Sequence, residues 1–398
     1  LKLLEYRGYD SCGIGVIHEN EIKTFKWKGR VRKTEKRFNE TKIKPSIAIG
    51  HTRWATHGEP NDINAHPIKS FNGEFAVVHN GIIENYKELK KILLEKGYKF
   101  YTETDTEILV NFIEECVSNS NNIDKGISYA LSRLEGAFGI VLIKKSEPEV
   151  MYAARKGSPL VLGINEKEFF VGSDISPIIG HTQQIIYLED SQMAVIKNDN
   201  YEIKSIDKDI SLPKIVEKID YKIDDYDKGK FKFFMHKEIH EQVDTISNTI
   251  IGRTTEHNVI LNGLLEYWSQ IEAADKIFIT ACGTSWHAGL IGKNLIERFA
   301  KVPVHVEYAS EFRYNRTLID NKSVVIAISQ SGETADTLAA IKKSNDYGAI
   351  TIGICNVAGS SISRETDCGI FTRCGHEVGV ASTKAFTAQI SILYLFAL

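Results

Sequence analysis

The sequence predicts a mixed α/β protein of more than one domain, and three observations carry that prediction. The chain has 398 residues, 42% of them hydrophobic, enough apolar material for two or three cores at about 100–200 residues each. Its last third carries nearly all-apolar runs separated by helix-length segments, as expected for strands buried on both faces of a parallel, doubly wound sheet. Its first half alternates shorter strand-like runs with stretches of helical periodicity.

In chain order, residues 46–49, 74–78, 137–143 and 169–172 are β-branched or aromatic and are bounded by Gly, Pro or Asn, which predicts strands. Between them, Tyr86, Leu89 and Leu93 share one helical face ahead of Gly97, a C-cap residue. Ile108, Leu109, Phe112, Ile113 and Cys116 predict a second helix by the same spacing. From about 200 to 235 the chain turns polar and repetitive in charge, the texture of a linker. Ile239, Val243, Ile246 and Ile250 then mark a helix face. Strands follow at 276–281, 302–306, 323–328, 349–354 and 368–372. No internal repeat and no low-complexity segment is visible in the chain.

Composition narrows the function. Forty-nine Lys and Arg against 52 Asp and Glu give a formal charge of −3, which advertises neither a nucleic acid nor an anionic membrane as partner. No apolar run approaches the roughly 20 residues of a membrane span. The six cysteines, at 12, 116, 282, 355, 368 and 374, form no CxxC pair and lack the density of a disulfide framework, so a reducing cytoplasm is expected. His51, His57, His66 and His79 lack the spacing of a metal site, and none is expected. The chain opens at Leu1 without Met or a secretory signal and closes inside an apolar run, so truncation at both ends is expected.

Two strand ends carry anion chemistry. Strand 276–281 runs into CGTS at 282–285, and strand 323–328 into SQSGET at 329–334, with a helix expected from about Ala335. Hydroxyl side chains around a glycine at such a turn set O–H and N–H donors about an anion at a helix N-terminus. The absence of GxxxxGKS/T and of GxGxxG disfavours a nucleoside triphosphate or dinucleotide. Ser and Thr are also preferred N-caps, so one such turn reads either way. Two in one sheet favour a phosphate or sugar-phosphate pocket.

These strings, with ICNV at 354–357 and GVASTKAF at 379–386, resemble the sugar isomerase (SIS) half of the glutamine:fructose-6-phosphate amidotransferase family, the glucosamine-6-phosphate synthases. EYRGYDS at 5–11, HTRWATHGEP at 51–60, VHNGIIEN at 78–85 and TDTE at 104–107 resemble the glutaminase domain of the same family, in the same order. The resemblance spans essentially the whole chain. It implies an N-terminal-nucleophile (Ntn) αββα glutaminase over 1–215, a linker over 216–235 and a first SIS subdomain over 236–398, with the second SIS half absent. It further implies a transaminase of the EC 2.6.1.16 class, cytoplasmic, without cofactor, homodimeric through its SIS domains. L-glutamine would be hydrolysed, its ammonia channelled, and fructose 6-phosphate aminated and isomerised. A dry channel suits that chemistry, because ammonia in neutral water is mostly protonated.

Residue roles follow from the resemblance. The family's nucleophile is an N-terminal Cys using its own α-amine as base, expected ahead of Leu1. The internal Cys12 is expected to be a packed strand residue. Arg53 would hold the glutamine α-carboxylate and Asp105 its α-ammonium. Asn80 and the Gly81 N–H would form the oxyanion hole, Trp54 a gate, and Thr56 and His57 the pocket wall. Without the resemblance, Asn80-Gly81 would read as a hairpin turn. Thr284, Ser285, Ser329, Gln330, Ser331, Thr334 and Val380 would hold the sugar phosphate. The isomerase base, ring-opening His and Schiff-base Lys belong to the absent part, Lys384 being structural. The isolated stretch is therefore expected to be inactive. The alternatives are a phosphosugar sensor with a degenerate glutaminase, which the presence of Arg53, Asn80, Gly81 and Asp105 disfavours, and an amidotransferase acting on another phosphosugar.

Overall fold

The computed structural model describes residues 1–54, 58–208, 210–218, 228–316, 318–379 and 381–398. The chain divides into two compact units, Leu1–Ile223 and Asp224–Leu398. The first opens on an antiparallel hairpin of β1 (Ser11–His18) and β2 (Glu21–Lys28). Its two turn residues, Glu19 and Asn20, sit at φ 55° and 58°, the left-handed geometry of a primed two-residue turn. Helix α1 (Val31–Glu40) follows, and β3 (Ala48–Arg53) pairs with the other edge of β1.

Next come β4 (Ile68–Lys69), β5 (Phe75–Ile83), α2 (Tyr86–Glu95), α3 (Asp105–Ser118), α4 (Ile123–Ser132), β6 (Gly136–Lys144) and β7 (Glu147–Lys156). The unit continues through β8 (Val161–Ile164), β9 (Phe169–Gly172), β10 (Gln184–Tyr187), β11 (Gln192–Lys197), β12 (Asn200–Ser205) and β13 (Glu217–Lys218). A six-stranded sheet runs in the order β12-β11-β7-β6-β5-β4, and a four-stranded one in the order β13-β10-β8-β9.

The six-stranded sheet is buried on both faces because its strands alternate with period two. Phe75 and Val77 of β5 and Phe138, Ile140 and Leu142 of β6 share a core with Leu93, Ile113 and Leu131 of α2, α3 and α4. Ala76, Val78, Val141 and Ile143, the intervening residues, meet Ile17, Ile22 and Ile49 of the first sheet and Leu162 and Ile186 of the third. On the face of β1 opposite Ile17, Cys12 touches Thr34 of α1. The layers therefore run helix, sheet, sheet, helix, an αββα sandwich.

The second unit contains α5 (Phe234–Ile250), α6 (Trp268–Glu272), β14 (Lys276–Ala281), α7 (Gly283–Phe299), β15 (Val304–Tyr308) and α8 (Ala309–Tyr314). After these come β16 (Ser323–Ser329), α9 (Ala335–Asp346), β17 (Ile350–Cys355), α10 (Ser361–Glu365), β18 (Cys368–Phe371) and α11 (Lys384–Ala397). All five strands are parallel, in the order β15-β14-β16-β17-β18. Ile277, Ile279, Ile326 and Ile328 face α7 and α11. Phe278 and Val325 face Phe312 of α8 and Ala340 of α9. The order is that of a doubly wound sheet whose strand progression reverses between β14 and β16.

Sequence and structure differ over the inward side of α5. The helix forms where expected, yet Ile239 and Val243 of its apolar stripe are exposed, Val243 at 76%. The buried residues are Glu238, Thr245 and Thr249. Two of the three make specific hydrogen bonds to the segment at 372–379. Glu238 accepts the N–H groups of Val378 and Gly379, and Thr249 Oγ1 reaches the carbonyl of Thr372 at 2.6 Å. Hydrogen-bond demand from the 372–379 segment outweighs hydrophobic periodicity here. Thr249→Ala is accordingly expected to lower the unfolding free energy by about 1–3 kcal/mol. Val243→Lys changes it by less than about 0.5 kcal/mol. Urea unfolding of both variants checks this, and equal effects would refute the assignment of faces.

Candidate active site

Five of the residues expected to handle glutamine line one cavity of about 450 Å³ in the first unit: Arg53, Trp54, Asn80, Gly81 and Asp105. They arrive from separate elements. Arg53 is the last residue of β3, Asn80 and Gly81 lie within β5, and Asp105 is the first residue of α3. Thr56 and His57 lie outside the described residues. The volume falls in the ordinary range for small-molecule sites, about 300–1,000 Å³.

Arg53 is buried. Its Nη2 donates to the carbonyl of Gly58 at 3.1 Å and its Nη1 to that of Glu59 at 3.4 Å. Burial lowers its pKa, and the neighbouring carboxylates of Asp10, Asp105 and Glu103 work against that shift. Asp105 is also buried, and its Oδ2 accepts the Ile83 N–H at 2.9 Å. That bond ties the start of α3 to the end of β5. An acidic residue in the first turn also suits the helix dipole. Upstream, the Glu107 carboxylate accepts the N–H groups of Tyr101 and Thr102, which folds the preceding loop over the helix start. Trp54 is 60% exposed, at 5.3 Å and nearly perpendicular to Tyr9.

Asn80-Gly81 is a strand segment, with Asn80 opposite Gly139 and Gly81 opposite Phe138. The hairpin turn that the dipeptide alone suggests does not form. Gly81 sits at φ 138°, and a Cβ there would lie 2.0 Å from the Ala137 carbonyl oxygen, so no other residue fits. None of the cysteines is among the cavity's lining residues. Cys12 is buried in β1, 2.7 Å from Thr34 Oγ1, and burial raises its thiol pKa.

In the wall of the cavity, alongside these residues, lies a group whose relation sequence reasoning missed: His51, His66, His79 and Thr106. The rings of His51 and His66 lie 4.6 Å apart, tilted by 36°. Thr106 Oγ1 lies 2.9 Å from both His66 Nε2 and His79 Nδ1. Three of the four members neighbour a site residue: His51 precedes Arg53 by two positions, His79 precedes Asn80, and Thr106 follows Asp105. For those three the signal was present in the motifs, but only packing of β3, β5, α3 and the segment before β4 against one another brings the four together.

In the second unit the two hydroxyl-rich turns leave β14 and β16, adjacent parallel strands with Ala281 opposite Ile328. They therefore flank the point where the strand order reverses, the usual ligand crevice of such sheets. Thr284 and Ser285 open α7, and Thr334 is the N-cap of α9. Ser285 Oγ accepts from Gln389 Nε2 at 3.1 Å. Gln330 follows β16 in the second turn. There Ser329 Oγ accepts the Gly332 N–H at 2.9 Å and lies 3.1 Å from Thr334 Oγ1, while Ser331 Oγ accepts the Glu333 N–H. Glu333 in turn accepts the Ser361 N–H at 2.8 Å, pinning the turn to α10. Val380 lies outside the described residues. Lys384 is buried and paired with Glu241 at 2.7 Å.

Comparison with known proteins agrees with this division. A family model for a glutamine amidotransferase domain matches residues 51–180, and one for the SIS domain matches residues 270–398. The isomerizing glutamine–fructose-6-phosphate aminotransferase of Chlorobaculum tepidum is 47% identical over 405 residues, covering 100% of this chain. The chain belongs to this aminotransferase family. The same enzyme of Bacteroides thetaiotaomicron is 49% identical over 403 residues. The chain spans 66% of the length of each of these two relatives. Among solved structures, the C-terminal domain of glucosamine-fructose-6-phosphate aminotransferase from Francisella tularensis is 44% identical, covers 43% of this chain and 48% of its own, and gives a TM-score of 0.41. Among the described residues of this aminotransferase-family chain no helix is long and apolar enough to cross a membrane.

The histidine group predicts a pH dependence. Burial, with His79 and Arg53 nearby, pushes His51 down to about 3. Burial with His51, His79, Arg53 and Lys26 nearby holds His66 well below its ordinary value. Unfolded histidine titrates near 6.5, so below that pH the unfolded chain binds more protons. Stability from these rings is complete above about pH 6.5 and drains away as pH falls toward the folded values, by up to about 1.4 kcal/mol per unit and per ring. Urea unfolding between pH 4 and 7.5 is expected to show a shallower slope for His66→Gln than for the parent. Identical slopes would mean that the ring is not buried neutral.

Proposed function

We propose that the first unit binds L-glutamine and directs hydrolysis of its side-chain amide. The second unit binds fructose 6-phosphate, and in the whole protein the released ammonia aminates that sugar to glucosamine 6-phosphate. One observation carries the reading: a guanidinium, a carboxylate and an Asn-Gly strand segment from three elements converge on a single cavity. A free α-amino acid presents one carboxylate and one ammonium at its head. Arg53 and Asp105 supply the complementary charges, the arginine as a planar fork.

With the head held there, the amide end extends toward Asn80 and Gly81. Their N–H donors would stabilise the oxyanion of the tetrahedral intermediate, worth about 10²–10³ in rate per donor. The attacking thiolate is not among the cavity's lining residues. In the second unit, the turns at 282–285 and 329–334 offer hydroxyls and helix N-termini at the sheet's reversal point, suited to a sugar phosphate. This reading includes cytoplasmic action as a homodimer through the SIS unit, with no nucleic-acid or membrane partner. The free state of all six cysteines and the net charge of −3 support its cytoplasmic and partner terms.

Calorimetric titration of the 398-residue protein tests both units separately. Arg53→Ala is expected to weaken L-glutamine binding by about 1.5–3 kcal/mol for each charge-assisted bond lost, with fructose 6-phosphate binding unchanged. Ser329→Ala with Thr334→Ala is expected to do the converse. Unchanged glutamine affinity in Arg53→Ala would overturn the head-group assignment. Unchanged sugar-phosphate affinity in the double variant would reduce those hydroxyls to helix caps.

A further inference from the structure

Arg53 is held by carbonyls of residues 58 and 59, so whatever fixes that backbone also fixes the guanidinium. Asn64 is buried, 1% exposed, and its side chain bridges two loops. Its Nδ2 donates to the Glu59 carbonyl and to Glu103 Oε2, both at 3.0 Å. Its Oδ1 accepts the Glu103 N–H at 3.0 Å. Glu103, reaching in from the surface, also accepts the Glu59 N–H at 3.2 Å. Glu59 thus has its N–H and its carbonyl engaged by one reciprocal amide–carboxylate pair. Gly58 confirms how closely the loops approach: it sits at φ 77°, and a Cβ on it would lie 2.8 Å from Asn64 Nδ2 and 2.9 Å from Glu103 Cβ.

The two tied loops carry the two charges of the site. One runs from Arg53 through Gly58 and Glu59 to Asn64, and the other ends at Asp105, two residues after Glu103. We propose that the Asn64–Glu103 pair is a positioning element that sets the spacing between Arg53 and Asp105, and so makes the cavity selective for the zwitterionic head of a free α-amino acid. The proposal rests on the assignment of Arg53 and Asp105 to that head. Neither Asn64 nor Glu103 lines the cavity, so both act through the residues they hold. A misplaced binding group costs affinity because the ligand no longer meets both charges at once.

The test is titration NMR of L-glutamine with the 398-residue protein, which reaches millimolar Kd, with thermal unfolding recorded alongside. Asn64→Ala, Glu103→Ala and Gly58→Ala are each expected to weaken binding at least about tenfold, and Glu103→Gln, which retains a carbonyl acceptor, to recover to within about threefold of the parent. Added to Arg53→Ala, Asn64→Ala should weaken binding less than about threefold further, since it acts through the arginine. If Glu103→Ala binds as the parent does, or the two substitutions are fully additive, or Glu103→Gln is as weak as Glu103→Ala, the positioning role is refuted. If instead Arg53→Ala itself leaves Kd unchanged, the head-group assignment fails first and takes this proposal with it. Because Glu103 lies at the surface, its variants decide the matter even if Asn64→Ala does not fold.

Discussion

The hydrogen bond from the Ile83 N–H to Asp105 is the joint on which the first unit's site is hung. β5 has a hydrophobic core on each face and pairs with β6 along its whole length, so its end is a fixed point. A helix start bonded to that point inherits its precision, and Asp105 comes with it. Burial makes the arrangement strict: a carboxylate with so little solvent must find donors in the protein, and the strand end supplies one. Thr106, on the next residue, meets His66 and His79 and thereby ties β5 to the segment that follows Arg53.

The second unit reaches positional accuracy by another route. Its parallel strands are covered on both faces, and their ends are level because a parallel register pairs Ala281 with Ile328 and Ser329 with Cys355. Each strand end then releases a turn from almost the same height. Hydroxyls of Ser329 and Ser331 fold their turn by binding its own N–H groups, so the loop is shaped before any anion arrives. Such a surface is organised by the fold, the preorganisation that the proposed phosphate site would use.

How much of this was legible depended on whether the determining force was local. Phe169–Gly172 emerged with the expected bounds, and the five parallel strands appeared within a residue or two of where apolar runs predicted them. Burial sets the pattern in β14, β16 and β17, whereas the half-buried Phe169–Gly172 is marked by its aromatic and β-branched residues. Asn80-Gly81 misleads when read locally, because the strand pairing with β6 is decided by partners more than fifty residues away. The stripe on α5 misleads for a related reason: its periodicity is genuine, but Glu238 and Thr249 answer a hydrogen-bonding demand from residues 372–379 that no nearby residue announces. Arg53, Trp54, Asn80, Gly81 and Asp105 were named from motifs, whereas Asn64, Thr106 and the buried histidines gain meaning from distances across elements.

The polar inward side of α5 has a thermodynamic consequence of its own. Where a helix docks through leucines, undocking wets hydrocarbon and raises the heat capacity; where it docks through carboxylate and hydroxyl, the newly wetted surface is polar and lowers it. The contact made by Glu238 and Thr249 with residues 372–379 therefore adds little to the curvature of the stability profile with temperature. Its strength varies less on cooling than that of the oily cores beside it, which weaken in the cold. Near freezing, this seam holds a larger share of the second unit together than it does at the temperature of growth.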